Sequence, residues 1–250
     1  MTNPRLLAVV PARAGSRGLP GKNLRPLKGV PLVVHSIRAA ALVPAITRCV
    51  VSTDSDQIAQ VVRAEGGDAP FARPAVLATD TAPMAPVVRH ALQWCEEEEG
   101  REYDAVVLLD PTSPLRRPDQ LVAAIDLLFG HADLDGVVSV SEPTFNPIWV
   151  GVRAGATPGE PLTRFFDAGT GVTRRQDAER FLRINGNFYV WRAEFVRRLE
   201  SSWFDEGRHT GFVIPESQAC SIDDEYEFRL VEALVDAGLA ALPWMEGEAP

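Results

Sequence analysis

Cysteine, lysine and long hydrophobic runs are scarce in this chain of 250 residues, and each shortage excludes a class of protein. The three cysteines, Cys49, Cys95 and Cys220, lie far apart without C-x-x-C spacing, which argues against a disulfide framework and against a zinc site. No apolar run approaches the length of a membrane span, and residues 6–10 are too few for the core of a signal peptide. We therefore expect a cytoplasmic protein with reduced thiols and no membrane partner.

Positive charge is also under-represented overall. The 25 basic residues, of which only Lys22 and Lys28 are lysines, are outnumbered by 34 acidic ones, and the net charge is −9. Such a chain has no global field that would attract nucleic acid or an anionic membrane, so we expect neither as a partner. With 46% hydrophobic residues, the chain can bury the core of one domain over residues 1–250. A local basic cluster in it would instead indicate a small anionic ligand.

The loop after residues 6–10, an apolar run typical of a buried strand, holds such a cluster. It combines three glycines with four basic residues, namely Gly15, Gly18 and Gly21 with Arg13, Arg17, Lys22 and Arg25. Glycine lets backbone N–H groups approach and surround an anion, and the basic side chains neutralise a highly charged one. The pattern predicts a phosphate-binding loop with a triphosphate as its ligand; a solvated strand-to-helix turn is the alternative.

Two common phosphate motifs are excluded by counting. A P-loop has four residues between its first glycine and the Gly-Lys pair, and Ser or Thr follows that pair. Here five residues separate Gly15 from Gly21, and Asn23 follows Lys22. The loop also contains no G-x-G pair, so it is not the dinucleotide-binding fingerprint.

Strand and helix patterns alternate along the chain. The strand patterns lie at 48–53, 104–110 and 136–140, and the helix patterns lie at 31–41, at 58–62 and from Pro118 onward. This alternation predicts an α/β fold with a mostly parallel sheet in three layers. Ligands of such sheets bind at the carboxyl ends of the strands, where the glycine-rich loop, Asp54 and Asp110 all fall.

Residues 142–182 interrupt this alternation with Pro- and Gly-rich turns and weak periodicity. We expect a small insertion that projects from the core and serves as a dimerisation arm; a long surface loop is the alternative. Aromatic residues such as Phe145, Trp149 and Phe165 favour the first interpretation, because they would otherwise lack cover.

Three further segments carry chemistry, although each also has a plain structural explanation. DPTSPLR at 110–116 puts a carboxylate, two hydroxyls and a cation on one rigid turn. An arginine cluster at 174–183 leads into an Asn-Gly turn at 185–186 and could hold a carboxylate. The acidic residues at 223–227 could bind a metal ion, or they could simply complement the dipole of the helix that they open.

The chain resembles the N-acylneuraminate cytidylyltransferases, which are the CMP-sialic acid synthetases and their relatives, in segments that follow the family's order. These are PARAGSRGLPGKN, RPAVLATDTAPMAPVVRHAL, DPTSPLR, RRQ, LRINGNFYV and SIDDEYEF. The resemblance runs from about residue 6 to 235 and implies a Rossmann-like nucleotidyltransferase core that forms a homodimer. It also implies Mg²⁺-dependent attack by the anomeric hydroxyl of an acidic nine-carbon sugar on the α-phosphate of CTP.

The same resemblance implies roles for individual residues. The CTP-binding residues would be Ala12, Arg13, Gly15, Ser16, Arg17, Lys22, Asn23, Arg73, Asp80 and Thr81. The sugar would be held by Asp110, Arg175, Gln176, Asn185 and Tyr189. Arg13, Lys22 and Asp223 would act in catalysis, with Asp223 as a metal ligand.

Two positions depart from the family pattern. Asp110 stands where the family usually has Gln, and Ser221-Ile222-Asp223 stands where it commonly has Asp-Ile-Asp. We hypothesise that Asp110 replaces the missing acid, so that Asp110 and Asp223 together hold Mg²⁺. Alternatively, Asp110 hydrogen-bonds a different sugar, since an acid there disfavours a nearby carboxylate. Transfer to an octulosonate-type acid and a CTP-binding regulator without catalysis therefore remain as alternative functions.

Overall fold

The computed structural model describes residues 4–16 and 18–245. Its strands are β1 (Leu6–Pro11), β2 (Pro26–Leu27), β3 (Val30–Pro31), β4 (Ile46–Ser52), β5 (Ala105–Leu108), β6 (Gly136–Ser141), β7 (Val152–Arg153), β8 (Thr163–Arg164), β9 (Arg183–Arg192) and β10 (His209–Val213). Its helices are α1 (Leu32–Ala41), α2 (Asp56–Ala64), α3 (Met84–Glu99), α4 (Pro118–Gly130), α5 (Pro147–Val150), α6 (Ala193–Arg198), α7 (Trp203–Glu206) and α8 (Glu225–Asp236).

A six-stranded sheet in the order β10-β6-β9-β5-β1-β4 forms the centre of the molecule. β9 runs antiparallel to β5 and β6, and the other neighbouring pairs of this sheet are parallel. The predicted mostly parallel sheet is therefore confirmed. One edge of the sheet is formed by the carboxyl ends of the parallel strands β1, β4 and β5. The amino-terminal half of β9 lies at the same edge, because β9 runs in the opposite direction.

Helices cover both faces of the sheet, which confirms the predicted three layers. Alternate residues of β1 enter two different clusters: Leu6, Ala8 and Val10 pack with α1, α2 and α4, while Leu7 and Val9 pack with α3 and α6. All five of these side chains are completely buried. A strand alternates its side chains between two faces, so full burial of both sets requires helices above and below.

The helix α8 packs near the glycine-rich loop rather than against the centre of the sheet. Phe228 and Val231 of α8 share a buried cluster with Leu19 from the loop and Leu115 from the turn after β5. A capping box starts the helix, since Asp224 Oδ1 accepts from the Glu227 amide at 2.9 Å and Glu227 Oε2 accepts from the Asp224 amide. The acidic residues at 224 and 227 are thus explained by the helix start, which leaves Asp223 for other roles.

Residues 142–182 lie between β6 and β9 and contain α5 and the short hairpin β7–β8. Most of this segment is exposed, including Phe145 at 62% and Phe165 at 49%. The predicted break in the alternating pattern is confirmed, whereas the role of the segment in dimerisation stays a prediction.

The expected Asn-Gly turn at 185–186 is wrong. Both residues lie inside β9, where Gly186 has a φ of 72° and the register with β6 shifts between Val138 and Val140. The glycine therefore provides an irregularity within a strand and does not reverse the chain. Sequence reasoning missed β9 itself, because its polar first half does not resemble a buried strand.

The described part of the chain contains three free cysteines, Cys49, Cys95 and Cys220. Burial raises the pKa of the Cys49 and Cys95 thiols to about 12, as expected for unreactive groups in the core. None of the helices in residues 4–16 and 18–245 combines the length and the apolar character needed to cross a membrane.

Candidate active site

A cleft of about 280 Å³ opens at the sheet edge where the ends of β1 and β5 meet. It lies between the loop after β1, the turn after β5 and the segment that precedes α8. The residues that line it are Pro11, Arg13, Gly15, Ser16, Lys22, Asn23, Arg73, Met84, Asp110, Thr112, Ser221 and Asp223. The sequence predicted that the first loop, Asp54 and Asp110 would meet at this edge. The loop and Asp110 line the cleft together with Asp223, whereas Asp54 is not among the lining residues.

Hydrogen bonds within the described residues fix the shape of the loop after β1. The Asn23 side-chain amide donates to the Arg13 carbonyl at 2.9 Å, and the Ala14 amide donates to Asp54 Oδ1 at 2.8 Å. Gly21 has a φ of 69°, which favours glycine. A Cβ at Gly18 would overlap the carbonyl oxygen of Asp223, so only glycine lets the loop approach this segment so closely.

Lys22 joins the loop to the segment before α8. Its Nζ donates to Asp223 Oδ1 at 2.9 Å and to the Ile222 carbonyl at 2.8 Å. The Lys22 side chain is only 11% exposed, whereas that of Asp223 is 71% exposed. The ammonium group therefore lies in the wall of the cleft, and the carboxylate stays accessible to a ligand.

Two arginines add positive charge to the cleft. Arg13 forms an ion pair with Asp80. Arg73 is 6% exposed, and its Nε donates to Ser52 Oγ at 3.1 Å. Burial lowers the pKa of Arg73, and the charge of Asp54 opposes this shift. The cation of Arg73 is thus held firmly by the end of β4, where it faces the cleft.

The turn after β5 carries Asp110 into the cleft. Asp110 Oδ1 accepts from the Thr112 amide at 3.0 Å, which orients the carboxylate. Thr112 in turn contacts the segment before α8, because its carbonyl accepts from the Ile222 amide at 2.8 Å and its Oγ1 accepts from Ser221 Oγ at 3.2 Å. The two segments that carry Asp110 and Asp223 are therefore bonded directly to each other.

The predicted sugar-binding residues divide into two groups. Tyr189 lies near Asp110, since burial together with the charge of Asp110 raises the pKa of its hydroxyl to about 12. Asn185 is 5% exposed and lies outside the cleft lining; its Oδ1 accepts from Ser139 Oγ at 2.6 Å. Gln176 lines a different cleft of about 420 Å³ within residues 142–182. The chain therefore does not bring Gln176 together with Lys22 and Asp110.

The other predicted residues have simpler positions. Ala12 is buried, and its amide donates to the Ser52 carbonyl at 2.9 Å. Thr81 is exposed next to Asp80, outside the lining of the cleft. Arg17 and the side chain of Arg175 lie outside the described part of the chain. Sequence reasoning missed Met84, which lines the cleft, and Ser52, which contacts Arg73 and the Ala12 amide. No local signal marks them, because only the folded sheet edge brings them to the loop after β1.

The donor set of the cleft fits a magnesium ion that is shared with a phosphate ligand. No group of three or more His, Cys, Asp or Glu side chains in residues 4–16 and 18–245 is arranged to hold an ion. The cleft nevertheless presents the carboxylates of Asp110 and Asp223 and the hydroxyls of Thr112 and Ser221. Mg²⁺ is usually bound through one or two carboxylates together with substrate phosphates and water, which matches this set.

Fold and site together define a nucleotide-binding α/β transferase, in which a basic glycine-rich loop faces two carboxylates. Residues 7–198 match the family described as Cytidylyltransferase, and the chain belongs to that family. The resemblance seen in the sequence is thereby confirmed, and the protein is a nucleotidyltransferase.

Individual relatives agree with this assignment. The chain is 33% identical over 247 residues to the CMP-N,N'-diacetyllegionaminic acid synthase of Legionella pneumophila, which covers 95% of this chain and 99% of that protein. It is 34% identical over 226 residues to the N-acylneuraminate cytidylyltransferase of Escherichia coli, which covers 90% of this chain and 51% of that protein. Among solved structures, a CMP:2-keto-3-deoxy-manno-octonic acid synthetase complexed with CTP has a TM-score of 0.68 to this chain at 20% sequence identity. The match covers 94% of this chain and 99% of the synthetase chain, which supports the fold.

Proposed function

We propose that this protein transfers the cytidylyl group of CTP to a sialic-acid-like nonulosonic acid, which yields the CMP-sugar and pyrophosphate. The observation that carries the proposal is that Lys22, Asp110 and Asp223 line one cleft in a chain of the cytidylyltransferase family. The name of the Legionella pneumophila relative, which aligns over almost its full length, supports a nonulosonic acid as the acceptor.

The loop after β1 would bind the β- and γ-phosphates of CTP. Gly15 and Ser16 line the cleft together with the cations of Arg13 and Lys22. These groups would hold the negative charge that develops as the bond between the α-phosphorus and the bridging oxygen breaks, and they would help pyrophosphate to leave. The new bond forms between the anomeric oxygen of the sugar and the α-phosphorus.

We further propose that Asp110 and Asp223 hold Mg²⁺ in the complex with CTP. The bound ion would neutralise phosphate charge and would lower the pKa of the attacking hydroxyl. Among the described residues no histidine lines the cleft, so the chain itself offers no imidazole to take the proton of that hydroxyl. Asp110 and Asp223 are the carboxylates among the described residues that line the cleft, so the proposed reaction depends on their placement.

Asp110 also supports a second candidate for the acceptor. A carboxylate at this position would favour an acceptor whose substituents present hydroxyl or ammonium groups to it. An octulosonate-type acid or a nonulosonic acid with a different substituent would then replace N-acetylneuraminate. Asp110→Asn distinguishes the two roles: a rise in the Mg²⁺ concentration needed for turnover assigns Asp110 to the ion, whereas a change confined to KM for the sugar assigns it to the acceptor. Unchanged metal dependence and turnover would contradict both.

The insertion at 142–182 supports a homodimer as the functional unit. Phe145, Phe165 and Phe166 are 37% to 62% exposed, which is unusual for large aromatic side chains on a surface without a partner. Gln176 lines a cleft of its own in this segment, so we propose that the insertion of one subunit contacts its partner. Three scattered cysteines without C-x-x-C spacing support a reducing compartment, and we propose that the enzyme acts in the cytoplasm.

The experiment that tests the function is pyrophosphate release from CTP and Mg²⁺ with a panel of acidic sugars. The panel includes N,N'-diacetyllegionaminic acid, N-acetylneuraminic acid and 3-deoxy-manno-octulosonic acid, and ATP, GTP and UTP replace CTP in parallel reactions. We expect pyrophosphate with CTP and a nonulosonic acid. Asp126→Asn, which changes an exposed carboxylate on α4, serves as the control and should leave the rate unchanged. Binding of CTP without pyrophosphate from any sugar would instead identify a regulator.

A further inference from the structure

Arg116 is a completely buried arginine whose guanidinium joins three segments around the cleft. Its NH1 donates to Ser36 Oγ of α1 at 2.7 Å, its NH2 donates to the Asp110 carbonyl at 2.6 Å, and its Nε donates to the Asn187 carbonyl of β9 at 3.2 Å. The side chain is 0% exposed. The guanidinium therefore fixes the turn that carries Asp110 against both a helix and a strand.

Among residues 4–16 and 18–245, no carboxylate is in direct contact with the Arg116 guanidinium. Its three hydrogen-bond acceptors in the described residues are two carbonyls and a hydroxyl. Burying a cation without a carboxylate partner is costly, and the three hydrogen bonds offset part of that cost. Burial lowers the pKa of Arg116 to about 10, and the charge of Asp110 opposes that shift. The group nevertheless stays charged at neutral pH.

Asp110 is the carboxylate that this buried charge affects. The backbone carbonyl of Asp110 is bonded to the guanidinium, while its side chain points into the cleft and accepts from the Thr112 amide. Arg116 thus fixes the backbone of Asp110 through a hydrogen bond to its carbonyl. The guanidinium charge also attracts the Asp110 carboxylate, and this attraction is strengthened by the low dielectric constant of the protein interior. A planar group with five donors in a fixed fork can satisfy three acceptors at once, which the single ammonium of lysine cannot do in the same geometry.

We propose that Arg116 is a positioning residue that sets the place of the Asp110 carboxylate in the cleft and thereby controls the affinity of the enzyme–CTP complex for its divalent cation. This inference rests on the proposed function, in which Asp110 is a metal ligand. A purely structural arginine would stabilise the fold without affecting the metal, and the two roles predict different results.

The chain offers a matched control in Arg192, the last residue of β9. Its Nε donates to the Leu134 carbonyl at 2.8 Å, and its NH2 donates to the carbonyls of Leu128 and His131 at 3.0 and 3.1 Å. Arg192 therefore also donates to several backbone carbonyls. It lies far from the cleft, because it pairs with Ala105 at the amino-terminal end of β5 and the cleft is at the carboxyl end. Arg116→Lys and Arg192→Lys remove the same kind of contact at the two ends of the sheet.

The test is a titration of Mn²⁺ into the protein with saturating CTP and no sugar, in which free Mn²⁺ is measured by electron paramagnetic resonance. We expect Arg116→Lys to weaken Mn²⁺ binding about tenfold, as residues that orient metal ligands commonly do. Arg192→Lys should lower the melting temperature only. Asp110→Asn should weaken binding by itself, and adding Arg116→Lys to it should have no further effect, because the two changes act on the same ligand.

Two results would overturn the inference. One is an Arg116→Lys protein that is folded and less stable but binds Mn²⁺ as the wild type does. The other is a double variant, Asp110→Asn with Arg116→Lys, in which the loss of Mn²⁺ affinity equals the sum of the losses in the two single variants. If Arg116→Lys does not fold, Ser36→Ala removes one of the three anchors and should weaken Mn²⁺ binding in the same direction, and an unchanged affinity there overturns the inference as well. Missing turnover with every sugar would contradict the proposed function alone, since Mn²⁺ binding needs no acceptor.

Discussion

Lys22 and Asp223 are 201 residues apart in the chain, and they form an ion pair at 2.9 Å across the mouth of the cleft. The proposed function assigns the Lys22 ammonium to phosphate and the Asp223 carboxylate to the divalent cation. Under the proposed function, CTP would compete with Asp223 for the Lys22 ammonium, and a divalent cation would take the place of that ammonium on Asp223.

Removing the cations of the loop should stop the reaction without unfolding the protein. We expect Lys22→Ala and Arg13→Ala each to lower turnover by hundreds-fold, because loss of one contact to developing charge costs about 2.7–4 kcal/mol of transition-state stabilisation. Lys28→Ala is the matched control, since Lys28 pairs with Asp236 at the far end of α8. Pyrophosphate release and circular dichroism measure the two effects. Near-normal rates in both loop variants would remove the loop from the phosphate site.

A methyl group at Gly18 should alter the shape of the cleft, although Gly18 is not among its lining residues. Its Cβ would overlap the Asp223 carbonyl, so we expect Gly18→Ala to push the loop off this segment and weaken CTP binding at least tenfold, which is about 1.4 kcal/mol. Gly130→Ala is the control, because a Cβ at Gly130 meets open space. Isothermal titration of CTP into both variants makes the comparison. Equal affinities would show that the close approach at Gly18 is unimportant.

The ion pair also predicts how the free enzyme binds a cation. Lys22→Met should raise the affinity for Mn²⁺ in the absence of nucleotide by about two- to fivefold, since an exposed ion pair is worth up to about 1 kcal/mol. The Asp223 carboxylate, 71% exposed, is then released for the metal. Adding Asp223→Asn to Lys22→Met should cancel the gain. A Lys22→Met protein that binds Mn²⁺ no better than the wild type would mean that Lys22 does not compete for this carboxylate.

Stability should depend on pH through His35, which is completely buried in α1. Its Nε2 donates to the carbonyls of Leu27 and Val30, and its Nδ1 accepts from Trp244 Nε1 at 2.9 Å, so the ring fits only in its neutral form. Burial lowers the pKa of His35 from 6.5 to about 4. The unfolded chain therefore binds more protons between these values, and the stabilisation present above pH 6.5 is lost as the pH falls towards 4.

The loss amounts to about 3 kcal/mol, at roughly 1.36 kcal/mol for each unit of pKa difference. Urea unfolding at several pH values between 4 and 7 measures it. His35→Gln should flatten the curve in this range, whereas His131→Gln, which changes an exposed histidine, should not. A slope that is the same in wild type and His35→Gln would assign the pH dependence to other groups.

The sequence predicts the parts of this molecule that depend on local pattern. The strand at 48–53 and the helix from Pro118 appear with bounds that differ by a few residues, because β-branched runs and a proline at a first helical turn act locally. The glycine-rich loop after β1 is equally visible, since its glycines and basic residues all lie between residues 13 and 25. Ser55 also accepts from the Ile58 amide at 3.3 Å, as expected for the start of a helix.

Other features depend on contacts between distant segments, which the sequence does not display. The antiparallel strand β9 enters the middle of the sheet although its first half is polar. Its polar side chains are hydrogen-bonded there: Asn185 Oδ1 accepts from Ser139 Oγ, and Asn187 Nδ2 donates to the Gln218 carbonyl. The Lys22–Asp223 pair and the burial of Arg116 likewise depend on contacts between segments that are distant in the sequence. Local pattern alone does not distinguish Asp223 from the neighbouring acidic residues, whereas the resemblance and the capping of α8 by Asp224 and Glu227 do.

The most direct test of the account is isothermal titration of CTP into the purified protein with Mg²⁺. We predict saturable binding with one site per chain, in preference to UTP, and loss of that binding in Lys22→Ala. The Lys28→Ala protein should bind as the wild type does. No heat from CTP and Mg²⁺ with a folded protein, or equal binding by the Lys22→Ala variant, would contradict the claim that the loop after β1 holds the triphosphate.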